Sequence, residues 1–469
     1  MKIAVIGASG FVGGHLIQEL KRDNEIVCLS RSPMKVEDKN LTWKRCDLFS
    51  MLDIEEGLRG CDTAIYLVHS MAPSAHLDQG SFKDYDLIIA DNFIRAAIKE
   101  GIKHIIYLGG IVPKDKNQLS LHLESRLEVE HVIQSAAIPV TIIRAGMILG
   151  PGGSSFNIML RLVQRLKFMG LPSWTETKTQ VSYIDDIVDG IKQCLDLNMY
   201  GNKTYEIASC APLTYKEMLH KTAKAYNLKR YLISIPYISR GLSKFWISLV
   251  SGAPRSLVYP LVEGLNHEII ASEDLKLKNY NRTFEECIDL CAASETPAKI
   301  HAFSKAKRKS NYEVRSVQRY KNTSGMQAID VAYEYMNWLP LYLNSFIKVF
   351  VENEVILFTL LTKEIVLLKL VYSPERSSDD RQLFYIRGGL LAKETKRGRL
   401  EFRESLEGKY ILAAIHEFIP SLPWSLYRLT QAPFHLKVMT EFSKFLERTN
   451  EQNLMKLKNK QETIKRSNI

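Results

Sequence analysis

The stretch Lys2-Ile3-Ala4-Val5-Ile6-Gly7-Ala8-Ser9-Gly10-Phe11-Val12-Gly13 decides the fold. Its first five residues form a short, mostly apolar run that ends at glycine. From Phe11 to Lys21 apolar residues recur at positions 12, 16, 17 and 20, which is helical spacing. Strand, turn and helix therefore follow one another, with a glycine at every third position of the turn. Those glycines serve a tight turn, a close approach of backbone to phosphate, and close packing of helix on sheet. Backbone N–H groups and the positive end of the helix can then hold a pyrophosphate. Gly7, Ser9, Gly10, Phe11, Val12 and Gly13 are the candidate dinucleotide-binding residues.

The pattern continues outward from this turn. Further strands are expected at Glu25–Leu29, Thr42–Cys46, Thr63–Val68, His104–Leu108 and Val140–Arg144, with helical spacing between most of them. Continuous apolar strands separated by helices imply a parallel sheet covered on both faces, a doubly wound α/β domain. The kind of dinucleotide is decided where the second strand ends. An acidic residue there would hold a ribose 2′-hydroxyl and repel a 2′-phosphate, but the chain reads Ser30-Arg31-Ser32. Arg31 can pair bidentately with a phosphate, so NADP is expected over NAD, the alternative being a plain surface arginine. Asp47, followed by Leu48, is placed to accept from the adenine amine or to cap a helix.

The Gly7-x-x-Gly10-x-x-Gly13 turn, Asp47-Leu48, the Ala96-Ala97 helix ending at Gly101, Arg144-Ala145-Gly146 and Tyr183-Ile184-Asp185-Asp186 resemble an atypical, extended short-chain dehydrogenase/reductase over roughly residues 1–290. Within it, the stretches around Tyr66 to Met71, Tyr107 to Gly110 and His122 to Arg126 are similar to a bacterial subgroup of uncharacterised NAD(P)-binding proteins that carry an extra C-terminal domain. The resemblance implies a catalytic serine after the fifth strand and a Tyr-x-x-x-Lys helix. Here the serine position reads Gly109-Gly110 and the helix reads His122-x-x-x-Arg126. The i, i+4 spacing survives, so both side chains share a face. Arg126 keeps a positive charge for a ribose or phosphate but cannot serve as a base. His122 is the one acid/base candidate in the expected place, unless it is simply an exposed helix residue. His69, past the fourth strand, is expected on the nicotinamide side of the crevice or as a hydrogen-bonded structural residue. Tyr66, Tyr107 and Tyr183 read as core, and Asp185 and Asp186 as helix-start support.

The segment Leu232–Ile270, with Pro236, Phe245, Trp246, Pro254, Tyr259 and Pro260 among aliphatic residues, is expected to form a substrate lobe whose apolar lining suits a hydrophobic substrate. The same stripe would equally serve as core. From Tyr312 the pattern turns to strands at Tyr312–Arg319, Val355–Leu361, Glu364–Val371, Leu383–Leu391, Arg399–Arg403 and Tyr410–Phe418, followed by a helical stretch from Trp424 to Arg448. An antiparallel sheet closing on a long helix is similar to the helix-grip fold, whose sheet and helix enclose an apolar pocket; a packed domain that binds nothing is the alternative. The expected organisation is a Rossmann domain at 1–291, its lobe from about 145, a basic linker at 292–310, the helix-grip-like domain at 311–450 and a polar tail at 451–469.

Composition sets outer limits. The 469 residues are 46% hydrophobic and 25% charged, ordinary for a soluble globular protein. Residues 301–469 hold 28 Lys and Arg against 18 Asp and Glu, which accounts for +10 of the net +11. The run Lys305, Lys307, Arg308, Lys309 in the linker suggests a solvated segment or peripheral contact with an acidic membrane surface. No aromatic interleaving or recognition motif supports nucleic acid as a partner. Seven scattered cysteines without C-x-x-C pairs suggest neither disulfides nor a metal site, and a cytoplasmic location is expected. The start of the chain is too short in apolar residues for a signal peptide. Val355–Val371, broken by Lys363, Glu364 and Lys369, is not expected to span a membrane. The leading expectation is an NADP-dependent oxidoreductase acting on a hydrophobic carbonyl compound. The other is a protein that binds NADP(H) without turning it over, a redox sensor or assembly module, which resembles NmrA-like regulators and the accessory subunit of respiratory complex I.

Overall fold

The computed structural model describes residues 1–34, 38–69, 77–113, 119–196, 201–235, 240–265, 267–294 and 312–467, and their side chains except at 240, 242, 256, 257, 260, 261 and 450–467. The chain forms two compact units, one of residues 1–72 and 89–305, the other of residues 73–88 and 306–469. Strands are numbered in chain order, whichever sheet they join.

The first unit is built on seven parallel strands: β1 (Lys2–Ile6), β2 (Glu25–Ser30), β3 (Leu41–Arg45), β4 (Thr63–Tyr66), β6 (His104–Gly110), β7 (Val140–Ala145) and β12 (Thr204–Ile207). Their order in the sheet is β12-β7-β6-β4-β1-β2-β3. Residues 3–6 of β1 and all of β4 are buried, as strands covered on both faces must be. The chain runs outward one way from β1 through β2 and β3, and the other way through β4, β6, β7 and β12. That reversal opens a crevice beyond the carboxyl ends of β1 and β4, where ligands of such sheets bind. The flanking helices include α1 (Phe11–Leu20), α2 (Met51–Leu58), α3 (Phe82–Lys99), α4 (Leu121–Gln134), α5 (Ser154–Arg165) and α6 (Ile184–Gln193). Ser50 and Ser120 cap α2 and α4, their hydroxyls accepting from the Asp53 and Leu123 amides. Buried Ile3, Val5, Leu16, Ile17 and Cys28 join Phe156, Leu160 and Ile184 in one core, each large aliphatic contributing about 1.5–3 kcal/mol.

Three two-stranded ribbons elaborate the sheet edge: β8 (Met147–Leu149) with β11 (Val181–Tyr183), β9 (Phe168–Leu171) with β14 (Tyr231–Ser234), and β10 (Lys178–Thr179) with β13 (Leu213–Thr214). Two helices, Arg240–Ser251 and Arg255–Gly264, make the lobe.

The second unit holds an eight-stranded sheet in the order β16 (Ile347–Glu352), β17 (Val355–Leu360), β18 (Val366–Tyr372), β19 (Arg381–Ile386), β20 (Arg399–Ser405), β21 (Tyr410–Phe418), β15 (Val314–Lys321), β5 (Leu77–Gln79). Every pairing is antiparallel except that of β5, which lies parallel to β15 with Leu77 opposite Val314. The helices Ala328–Tyr342 and Gln431–Ser467 supply Val331, Trp338, Val438 and Phe442 to a core with Phe384, Phe402 and Ala413 of the strands. The antiparallel sheet and long final helix follow the sequence reading, with local differences. The expected strand Leu383–Leu391 ends at Ile386, because Gly388 and Gly389 adopt φ of +101° and +122°, where a strand cannot continue. The final helical stretch breaks at Thr430 into Trp424–Leu429 and Gln431–Ser467. The basic run at 305–309 and Pro236 lie outside the described residues.

Candidate functional site

The glycine turn is shaped for a diphosphate. Gly7 has φ +91°, and the Gly10 amide donates to its carbonyl at 2.9 Å to close the turn. A Cβ on Gly13 would fall 2.4 Å from the Gly7 oxygen, so helix and turn approach as closely as only glycine allows. Gly10 caps α1 without any side-chain hydrogen bond, and the first turn carries no acid. The leading amides and the positive helix end are left for an anion. Phe11 packs its ring where Gly150 and Gly153 leave space, since a Cβ on either would stand 2.9–3.1 Å from it.

Ser9 and Ser30 share a hydrogen bond at 2.6 Å, which ties the turn to the end of β2. The next residue, Arg31, is exposed and forms no ion pair among the described residues. Asp47 accepts from the Phe49 amide at 3.2 Å and donates its own amide to Asp53, so it organises the turn into α2. Leu48 is buried, and its carbonyl accepts from Asn92.

Beyond the carboxyl ends of β4 and β6, the rings of His69 and His122 meet edge-on with centroids 6.0 Å apart. His69 follows β4 by three residues; His122 stands in the first turn of α4, and Arg126 one turn further on. His69 as a whole residue is exposed and His122 is half-buried, while the protein atoms around both imidazoles crowd out solvent. Crowding by protein pushes the His122 imidazole down to about 3, with the Arg126 charge adding to the effect. The His69 imidazole is lowered well below its ordinary value by the same crowding, then by Arg126 and His122. Both shifts favour the neutral rings. The sequence showed the spacing of His122 but not its solvation.

At the position implied for the family serine, a Cβ on Gly109 would stand 2.9 Å from the Tyr107 ring. Tyr107 donates its hydroxyl to the Arg126 carbonyl at 3.3 Å. Tyr66, Tyr107 and Tyr183 are buried. Asp186 does not cap α6, as its side chain is held by Arg282 through contacts of 2.9–3.0 Å, with the guanidinium 5.2 Å over the Tyr183 ring. The sequence reading missed the role of Arg144, whose guanidinium joins Glu130 at 2.5 Å and Glu206 at 3.5 Å. Next to it, a Cβ on Gly146 would fall 2.3 Å from the Gln180 carbonyl. An arginine between two acids far apart in sequence leaves no local pattern. In the lobe, Phe245 and Trp246 are exposed rather than buried.

Among the described residues no cluster of His, Cys, Asp or Glu is placed to hold a metal ion, and no helix is long and apolar enough to cross a membrane. Residues 7–164 match the family model described as NAD(P)H-binding. The chain is 32% identical over 111 residues to the "Auxiliary protein GraX" of Staphylococcus aureus, covering 23% of this chain and only 36% of that protein. It is 22% identical over 258 residues to a UDP-glucose 4-epimerase of Vibrio cholerae, covering 50% and 78%. The solved structure of a Citrobacter triphenylmethane reductase, 18% identical, covers 62% of the chain over all of its own length with a TM-score of 0.51, a likeness of fold. The family match falls on the glycine turn and strand order described above, so residues 7–164 are similar to NAD(P)H-binding domains, and the first unit shares its fold with the reductase.

Proposed function

We propose that the chain binds NADP(H) in preference to NAD(H) and works as an oxidoreductase on a hydrophobic carbonyl compound. The observation that carries the reading is the uncapped, acid-free start of α1 beside an Arg31 with no ion pair among the described residues. The amides after Gly10 would hold the pyrophosphate, and Arg31 the 2′-phosphate. When bound, NADPH supplies the hydride for carbonyl reduction. The neutral His122 ring donates a hydrogen bond to the substrate oxygen, as a neutral imidazole can. Arg126, one turn along the same helix face, anchors ribose or phosphate. With His122 neutral and no Tyr-x-x-x-Lys pair, the proton that completes an alcohol comes from solvent.

The test is calorimetric titration of NADP, NADPH, NAD and NADH on the full chain and on Arg31→Ala. Loss of a bidentate phosphate contact should weaken NADP(H) binding by about 10- to 100-fold and leave NAD(H) nearly unchanged. Absence of binding by any of the four would sink the cofactor assignment. A second reading, an NADP(H)-holding sensor or assembly module, is favoured by one observation: Gly109-Gly110 and His122-x-x-x-Arg126 stand where the serine and the Tyr-x-x-x-Lys pair are expected. The word "auxiliary" in the GraX description accords with it. Bound NADPH that no panel of carbonyl compounds oxidises would select this second reading, and turnover with any of them would remove it.

A further inference from the structure

The lobe helix Arg240–Ser251 packs Ile247 against Ala253, Val258 and Val262, yet shows a second apolar face to water. A soluble helix buries its apolar stripe and shows its polar one. Here Ser243 and Ser251 are buried, while Phe245, Trp246 and Leu249 stand 41%, 49% and 58% exposed along one face. The helix is firmly held in this orientation. Arg161 and Arg165 of α5 donate to the carbonyls of Ser251 at 2.8 Å and Val250 at 2.5 Å, satisfying its last turn. The ribbon that precedes the helix shows the same character: Phe168 stacks on Tyr231 at 5.1 Å, and both are exposed, as is Ile233.

Charge says what covers this face. From Leu228 to Gly264 the chain has five basic residues, Lys229, Arg230, Arg240, Lys244 and Arg255, against one acidic residue, Glu263, which pairs with Lys244. Arg255 lies 5.5 Å over the Phe245 ring, so a cation sits directly on the exposed aromatic patch. Two copies meeting here would bring like charges together. Exposed Trp, Phe and Leu beside cations are instead the makeup of a helix that lies in a membrane interface.

We infer that the helix Arg240–Ser251 docks this unit on an anionic lipid bilayer, with Phe245, Trp246 and Leu249 entering the acyl boundary and Lys229 and Arg255 meeting the headgroups. The contact is peripheral and lies in the lobe, a place separate from the linker at 292–310. It holds whether or not the chain is an enzyme.

The experiment is flotation of the full chain with phosphatidylglycerol-containing vesicles and with pure phosphatidylcholine vesicles. Wild type should bind the anionic vesicles at least about tenfold more tightly and release in high salt. The variants Trp246→Ser/Leu249→Ser and Lys229→Glu/Arg255→Glu should each lose about tenfold or more while nicotinamide cofactor binding is unchanged. Brominated acyl chains should quench wild-type fluorescence and leave Trp246→Phe, a change that keeps the helix packed, much less affected. The inference is overturned if wild type ignores lipid charge, or if both variants float like wild type. It is equally overturned by a dimer that dissociates in Trp246→Ser/Leu249→Ser without any flotation, or by binding seen only with an acidic protein.

Discussion

Glu401 concentrates more consequence than any other side chain of the second unit. It is wholly buried and accepts from Arg381 and Arg403 at 2.8 Å and meets His416 Nε2 at 2.9 Å. Burial alone would raise its carboxyl, but the charges of Arg403 and Arg381 and the hydrogen bond with His416 hold it well below the usual range. Replacing Glu401 with Gln leaves buried guanidinium groups without their anion. The expected cost is about 3–5 kcal/mol, read as a lower urea midpoint for the second unit, and an unchanged midpoint would refute the account. In the glycine turn, Gly13→Ala places its methyl against the Gly7 oxygen and should abolish tight cofactor binding, at a stability cost of about 1–3 kcal/mol. Calorimetry and urea unfolding check both halves. At this scale the sequence was legible where backbone shape alone decides, as in the turn at Gly7, Gly10 and Gly13. It was illegible for Arg144 and Glu401, whose partners are distant in the chain, and for His122, whose protonation depends on its surroundings.

At the scale of elements, the parallel strands were readable because burial on both faces makes each a continuous apolar run. The helix Ala328–Tyr342 escaped because its apolar residues crowd without a clear stripe and Pro340 sits inside it. The three residues of β5 are too few to show alternation, and what defines them is a partner: the Leu77 amide donates to the Glu313 carbonyl at 3.2 Å. Just beyond, Gly80 has φ +158°, and a Cβ there would stand 2.6 Å from the Val317 oxygen. Leu77→Pro removes that donor. It should cost about 1–3 kcal/mol and raise hydrogen exchange along β15, whereas unaltered exchange there would show that β5 contributes nothing to the sheet.

Over the whole molecule, acid should destabilise both units. His104 in the first unit and His416 in the second are buried, and burial pushes them down to about 4 and about 3 respectively. An unfolded histidine takes its proton near pH 6.5, so between that pH and about 4 the unfolded chain binds protons that the folded chain refuses. Stability is therefore complete above the unfolded value and falls with pH below it, by up to about 1.4 kcal/mol per pH unit for each such histidine. Urea midpoints measured from pH 7 to pH 4 should decline throughout; a level profile would contradict the assignment of neutral buried rings. A chain truncated after Ser294 deprives Leu77–Gln79 of their sheet, and proteolysis should then cut between Leu77 and Tyr85 far sooner than in the intact protein.

The pairing of Leu77 with Val314 joins positions 237 apart in the sequence. A ribosome delivers the first of these long before the second, so β5 must wait, unpaired, until β15 emerges. Synthesis order thus makes β5 one of the last strands of its sheet to be paired, and a chain interrupted anywhere before residue 314 would carry Leu77–Gln79 without a partner strand.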